Sequence, residues 1–185
     1  SIGDKGLIYA AKVLAGTAAD LFTDPSLLEA AKAAKESAAP ARMGMACGDS
    51  LIGVNRREFD GENKIKFGQN PWGCFDPKMT VLSFRDAEGK TYANIVHYGC
   101  HGTAAGRNHE ISRDWIGVMT DRMQIETGIP TGFWNGCVGD IGPRIANGLT
   151  TGDIRHVEEL GGHAALDAIR IAAQFAHVPY ECAPV

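Results

Sequence analysis

No stretch of this chain approaches the roughly 20 consecutive apolar residues that span a bilayer, which argues against a transmembrane segment. No run of Lys and Arg occurs either, and the net charge is -4. Nucleic acids and anionic membranes draw much of their protein affinity from clustered cations, so neither is an expected partner. The five cysteines, Cys47, Cys74, Cys100, Cys137 and Cys182, contain no CxxC pair, which removes the usual zinc-ribbon and redox motifs. Most are expected to be buried free thiols. Ser1 opens without the pattern of a secretory leader, so the cytoplasm is the default expectation, with secretion or periplasmic export left open.

What is present fits a globular protein: 185 residues, 44% hydrophobic and 22% charged, enough for one domain or one domain with a short appendage. Six of the 23 glycines, Gly99, Gly102, Gly106, Gly136, Gly139 and Gly142, gather between positions 99 and 142 and suggest tight loops.

Leu7, Ala11, Leu14, Ala18 and Leu21 recur at helical spacing through Lys5 to Phe22. Thr23-Asp24-Pro25 ends that helix and caps a second, Ser26 to about Ser37, giving a helical hairpin over residues 1–40. Short β-like pieces follow at Arg42 to Ala46 and Leu51 to Asn55, then a long loop from Asp60 to Pro77, a length that is often functional. Met79 to Phe84 and Thr91 to Tyr98 read as a hairpin. Asp114 to Thr127 reads as a helix, Thr131 to Asn135 as a buried strand, and Ile154 to Phe175 as a long helix. The alternation predicts an α/β fold, a layered mixed β-sheet flanked by helices, over residues 41–185.

Three polar constellations could carry chemistry. His97 and His101 flank a Gly-containing turn at the end of a predicted strand, where α/β proteins gather ligands, and neutral imidazoles are common metal ligands. His97 reads more simply as an ordinary strand residue. Asn108 to Asp114 is a polar loop opening a helix, with Ser112 as its N-cap and His109 and Asp114 as further site candidates. Asn135 to Arg144 is a Gly-rich turn. Its backbone amides at Gly139 and Gly142, with Asn135, could form an anion or oxyanion pocket, with Asp140 orienting water or a histidine and Arg144 pairing a carboxylate. Cys100 and Cys137 lie in these loops, but no spacing marks a base that would activate a thiolate.

Gly53-Val54-Asn55-Arg56-Arg57, Asn94 to Thr103, Ile111-Ser112-Arg113-Asp114 and Gly139-Asp140-Ile141-Gly142-Pro143, in that order, resemble the N-terminal catalytic region of the neutral/alkaline ceramidase family over residues 41–178. The resemblance implies a zinc-dependent amidase that cleaves the N-acyl bond of ceramide, hence a role in lipid metabolism. In that light His101 matches a zinc ligand, with His97 as a second candidate, and Ser112 and Asp114 match a family segment. Asp140 falls in the motif that carries the family's catalytic serine, whose place is taken here by Gly142. The family's other zinc ligands have no counterpart, so the domain is expected to be incomplete. Residues 1–36 resemble the C-terminal helices of aminobenzoyl-glutamate hydrolase-type metallopeptidases, with Asp4 where that group has a metal-binding histidine.

The leading expectation is a hydrolase of an amide bond using one zinc ion, in which the metal polarises the carbonyl and activates water. Its substrate would be a small-molecule amide such as an N-acyl lipid. One alternative is an amidase acting on acyl-amino acids. Another is a non-catalytic subunit or binding module, with a homo-oligomer or partner chain completing the site.

Overall fold

The computed structural model describes residues 23–62, 64–106, 108 and 111–177. The chain divides into two units, Ser1–Pro40 and Ala41–Val185. The expected helix from Lys5 to Phe22, and with it the hairpin, lies outside the described residues. Within the first unit, helix α1 (Pro25–Glu36) is capped by Asp24, whose carboxylate accepts the Ser26 N–H at 2.9 Å, while Pro25 supplies a φ already suited to the first turn.

The second unit holds β1 (Arg42–Asp49), β2 (Gly53–Phe59), β3 (Ile65–Asn70), β4 (Lys78–Arg85), β5 (Thr91–Tyr98), α2 (Asp114–Thr127), β6 (Thr131–Asn135), β7 (Ile141–Pro143) and α3 (Ile154–Ala172), closed by a 3-10 turn at Ala173–His177. A four-stranded sheet runs β1-β4-β5-β6 and a three-stranded sheet runs β3-β2-β7. The predicted hairpin is β4–β5, antiparallel, with Gly89 at φ +86° and the Asp86 carboxylate accepting the Lys90 N–H. β5 and β6 are parallel and joined through α2, so the larger sheet is mixed, and the expected α/β class describes the fold.

Alternation within the larger sheet sends Ala46, Met79, Val81, Val96 and Tyr98 to one face, where they join Trp115, Met119 and Met123 of α2 and Val157, Leu160, Ala164 and Ala168 of α3 in one core. Trp115 anchors it, edge-on to Tyr98 and to Phe133 at 6.5 and 5.4 Å. The helices cross at Gly161, where a Cβ would meet Val118 Cβ at 2.5 Å, so only glycine permits this approach. Asp153 and His156 form a reciprocal cap at the start of α3.

Four expectations need correction. The loop from Asp60 to Pro77 contains β3; its Gly and Asn hid a strand that is bulged and mostly exposed, so it has no clean apolar alternation. Among the described residues Thr131 to Asn135 is an edge strand rather than a buried one: β5 pairs with one edge, and Trp134 is 64% exposed. The last helix becomes 3-10 after Ala172, short of the expected α-helical end at Phe175. Of the four described cysteines, all free, only Cys100 is buried. No helix among the described residues is long and apolar enough to cross a membrane.

Candidate functional site

Parallel neighbours β5 and β6 end side by side at Tyr98 and Asn135, so the loops that follow them emerge at the same carboxyl end of the sheet, the usual ligand position in α/β proteins. Gly99 makes this possible: a Cβ there would lie 2.6 Å from the Cys137 carbonyl, so the two exits could not pass this closely with any larger residue.

His101 sits in the first loop and is held from three sides. Its backbone N–H donates to the Ile141 carbonyl at 3.3 Å, its own carbonyl accepts the Trp115 indole N–H at 2.9 Å, and its ring Nδ1 lies 2.9 Å from the Ile141 carbonyl oxygen. A carbonyl only accepts, so Nδ1 carries the proton and Nε2 keeps its lone pair for a metal or a proton. Histidine ligands are commonly oriented by such a contact on the other ring nitrogen.

Asp114 fixes the loop. Its carboxylate accepts the N–H groups of Ala104 at 3.0 Å, Ala105 at 2.8 Å and Trp115 at 2.8 Å. It is the one described non-glycine residue at positive φ, +55°. The N-cap position of α2 is Arg113, not Ser112 as the sequence suggests; Ser112 instead accepts the Asp114 N–H at 2.9 Å, because the left-handed turn at Asp114 shifts the helix start. Both residues therefore hold the His101 loop in place.

The second loop presents Gly139 and Asp140. The Arg56 backbone N–H donates to the Asp140 carbonyl at 2.7 Å, and the Arg56 guanidinium donates to the Gly139 carbonyl at 3.1 Å. A cleft of about 210 Å³ opens here, lined by Arg56, Arg57, Ile65, Lys66, Phe67 and Gly139. A bulge opposite Arg56 breaks the β2–β3 register, and the guanidinium lies over the Phe67 ring at 5.0 Å. Sequence reasoning quoted the Arg56-Arg57 doublet without giving it a role, and missed Lys66 and Phe67 because their strand was read as loop. The only signal in the sequence was the triplet Ile65-Lys66-Phe67, too short to establish a strand period before Gly68, Gln69 and Asn70.

The remaining candidates are placed less centrally. Gly142 is buried within β7 opposite Val54, and a Cβ there would meet Thr150 Cβ at 2.9 Å. Arg144 donates to the Gly53 carbonyl at 3.3 Å and lies 6.0 Å from the Phe75 ring. Asn135 is exposed at the end of β6. His97 is exposed on the side of the sheet away from the helices, near Gly136. His109 and Asp4 lie outside the described residues. Burial, reinforced by the Asp114 charge, pushes the Cys100 thiol up far from thiolate character, which opposes a nucleophilic role at neutral pH. Among the described residues no three His, Cys, Asp or Glu side chains converge as a metal-binding group.

The site belongs to an α/β unit with its polar loops at the carboxyl ends of parallel strands. No family profile and no curated protein matches the chain. Its structure is similar to part of neutral ceramidase from Pseudomonas aeruginosa, with a TM-score of 0.56 and 24% identity over 73% of this chain and 23% of that one. A second similar structure is a ceramidase complexed with C2, with a TM-score of 0.55 and 23% identity over 73% of this chain and 22% of the other. At this identity the likeness establishes a shared ceramidase-like fold. The chain spans about a quarter of the length of either enzyme.

Proposed function

We propose that the Ala41–Val185 unit is one wall of an N-acyl amide hydrolase site of the ceramidase type, acting on a small-molecule amide such as an N-acyl lipid. The observation that carries this reading is His101: its tautomer is set by the Ile141 carbonyl, and its Nε2 is left free where two parallel strands end. Asp114 and Ser112 position the loop. Asp140 is the acid that would orient a water or the His101 ring, beside Gly139 and the Arg56–Arg57 cleft, where a polarised carbonyl would find cationic donors. Asn135, Gly142 and Arg144, the other residues of the expected oxyanion pocket, lie outside the cleft lining and enter this reading only as neighbours of the two loops.

Zinc is the cofactor the family resemblance implies, with His101 and His97 as its candidate ligands here. The described residues do not fit that ion by themselves, since a protein zinc site takes at least three protein ligands and no such group converges. Further donors would have to come from another segment or a partner chain. That shortage favours the second reading, a ceramidase-like domain serving as a subunit or binding module. The amidase reading drawn from residues 1–36 gains no support, because Asp4 is not described.

Hydrolysis of a short-chain N-acylsphingosine by the purified chain, supplied with zinc, separates the readings. The expected result is measurable hydrolysis that falls at least 100-fold in His101→Ala, with the melting temperature unchanged. Activity indifferent to His101→Ala would overturn the site assignment. Saturable substrate binding without hydrolysis would overturn catalysis and support the binding module.

A further inference from the structure

The cleft beside Gly139 differs in charge from the molecule as a whole. The chain carries a net charge of -4, yet Arg56, Arg57 and Lys66 line this cleft with Ile65, Phe67 and Gly139, and no acidic residue does. Adjacent residues of a regular strand face opposite sides of a sheet, so an Arg-Arg doublet would ordinarily be divided between them. Here both arginines reach one cleft. The register breaks at this point: Asn55 pairs with Asn70 and Arg57 with Phe67, so Gly68 and Gln69 stand opposite the single Arg56, a bulge of the kind that re-aims side chains beside functional sites. The three cations differ in what engages them. Lys66 lies 3.4 Å from the Glu58 carboxylate, which offsets its charge. Arg56 donates to the Gly139 carbonyl at 3.1 Å and lies over the Phe67 ring at 5.0 Å, contacts that orient the guanidinium without cancelling its charge. The Arg57 guanidinium has no ion pair or hydrogen bond among the described residues; the hydrogen bonds of this residue are made by its backbone.

We infer that this cleft binds a small organic oxyanion, a carboxylate or phosphate carried on an apolar body, with Arg57 and Arg56 holding the anion and Ile65 and Phe67 supporting the body. The planar guanidinium fork matches either oxyanion, and two-point hydrogen bonds to it are among the stronger ones proteins make. Ile65 and Phe67 are 63% and 76% exposed, so apolar area remains for a ligand to cover. A bare inorganic anion would leave those side chains in water. A neutral apolar molecule would desolvate two guanidinium groups without compensating them. The cleft volume of about 210 Å³ lies below the roughly 300–1,000 Å³ of drug-sized ligand sites, which limits the occupant to a small molecule. The site is defined by the cleft residues and holds whether or not the chain hydrolyses an amide.

Calorimetric titration of the full chain with phenylacetate, phenyl phosphate and the uncharged phenylacetamide tests the inference. At least one of the two anions is expected to bind saturably with a Kd below about 5 mM, and the tighter of them assigns the site to carboxylate or to phosphate. Phenylacetamide should bind about tenfold more weakly or worse, and so should acetate and inorganic phosphate, which lack the apolar body. Arg57→Ala should weaken the anion about tenfold, with Arg57→Lys between it and wild type because lysine keeps the charge but not the fork. Circular dichroism and melting temperature should be unchanged in both variants, since the exposed guanidinium holds no other described residue in place. The inference is overturned if neither phenyl anion saturates the chain by about 5 mM, if the amide binds as tightly as the anions, or if Arg57→Ala leaves binding unchanged. Acetate or inorganic phosphate binding as tightly as its phenyl form would mark an adventitious ion only and overturn it equally. The readout is binding rather than turnover, so its failure and the failure of the amidase reading are separate results.

Discussion

Removing the Asp114 carboxylate should be among the most damaging single changes to the His101 loop, and its cost can be worked from its contacts. The side chain is 7% exposed and accepts three backbone N–H groups, of which those of Ala104 and Trp115 belong to fully buried residues. Leaving a buried donor unsatisfied costs about 1–3 kcal/mol, whereas the Ala105 N–H, on a half-buried residue, can recover a water. Asp114→Ala is therefore expected to cost about 3–4 kcal/mol. Asp114→Gly loses the same acceptors but relieves the left-handed backbone at φ +55°, strain of about 1–2 kcal/mol for a residue with a Cβ. Glycine should thus be more stable than alanine here by about 1 kcal/mol, the reverse of the usual order in a helix, where glycine is worse by about that amount. Asp114→Asn keeps one oxygen and should fall between wild type and alanine. Urea unfolding followed by tryptophan fluorescence reads all three, and hydrogen exchange at Ala104 and Ala105 localises the effect. A loss below 1 kcal/mol in Asp114→Ala, or a glycine variant less stable than alanine, would refute the account.

Gly142→Ser, which restores the residue the family resemblance expects, should destabilise the fold by about 1–3 kcal/mol because its Cβ meets Thr150 Cβ at 2.9 Å; chemical denaturation measures this, and a neutral substitution would show that Thr150 yields. Burial raises the Tyr98 hydroxyl well above its ordinary value, while the group donates to the Ser50 carbonyl at 2.9 Å and accepts the Gly53 N–H at 3.3 Å. A raised folded value means the stabilisation is complete below the unfolded value near 10 and is lost as pH rises beyond it, so melting temperature should decline above about pH 10, less steeply in Tyr98→Phe. Buried Cys100, its thiol held protonated, should resist alkylation at pH 8 in the native chain while exposed Cys47, Cys74 and Cys137 react; mass spectrometry of labelled peptides decides it.

Much of the fold was legible because local signals and tertiary packing agree. α2 and α3 carry apolar residues at helical spacing, Asp24 and Asp153 are good caps, and the turn residues Asp86 and Gly89 close the β4–β5 hairpin. β3 was lost because a strand of a small, largely exposed sheet need not alternate cleanly, and its bulge breaks the period further. The exposure of β6 was equally hidden: Thr131 to Asn135 states β propensity, but whether a strand is central or at an edge depends on what pairs beside it.

For the site, the sequence alone determined which loops carry histidines, carboxylates and glycines, because residue types and spacing are written in it. It did not determine what those groups face. Only the tertiary structure decided that the Ile141 carbonyl, 40 residues on, sets the His101 tautomer, and that Asp114 spends its carboxylate on loop amides. The same packing brought Arg56 and Arg57 against Gly139, joining segments 83 residues apart. The physical reason is common to all three. Hydrogen-bond partners and tautomers are set by groups distant in the chain, whose positions follow from how the two sheets and the helices meet, a property of the packed core rather than of any local stretch.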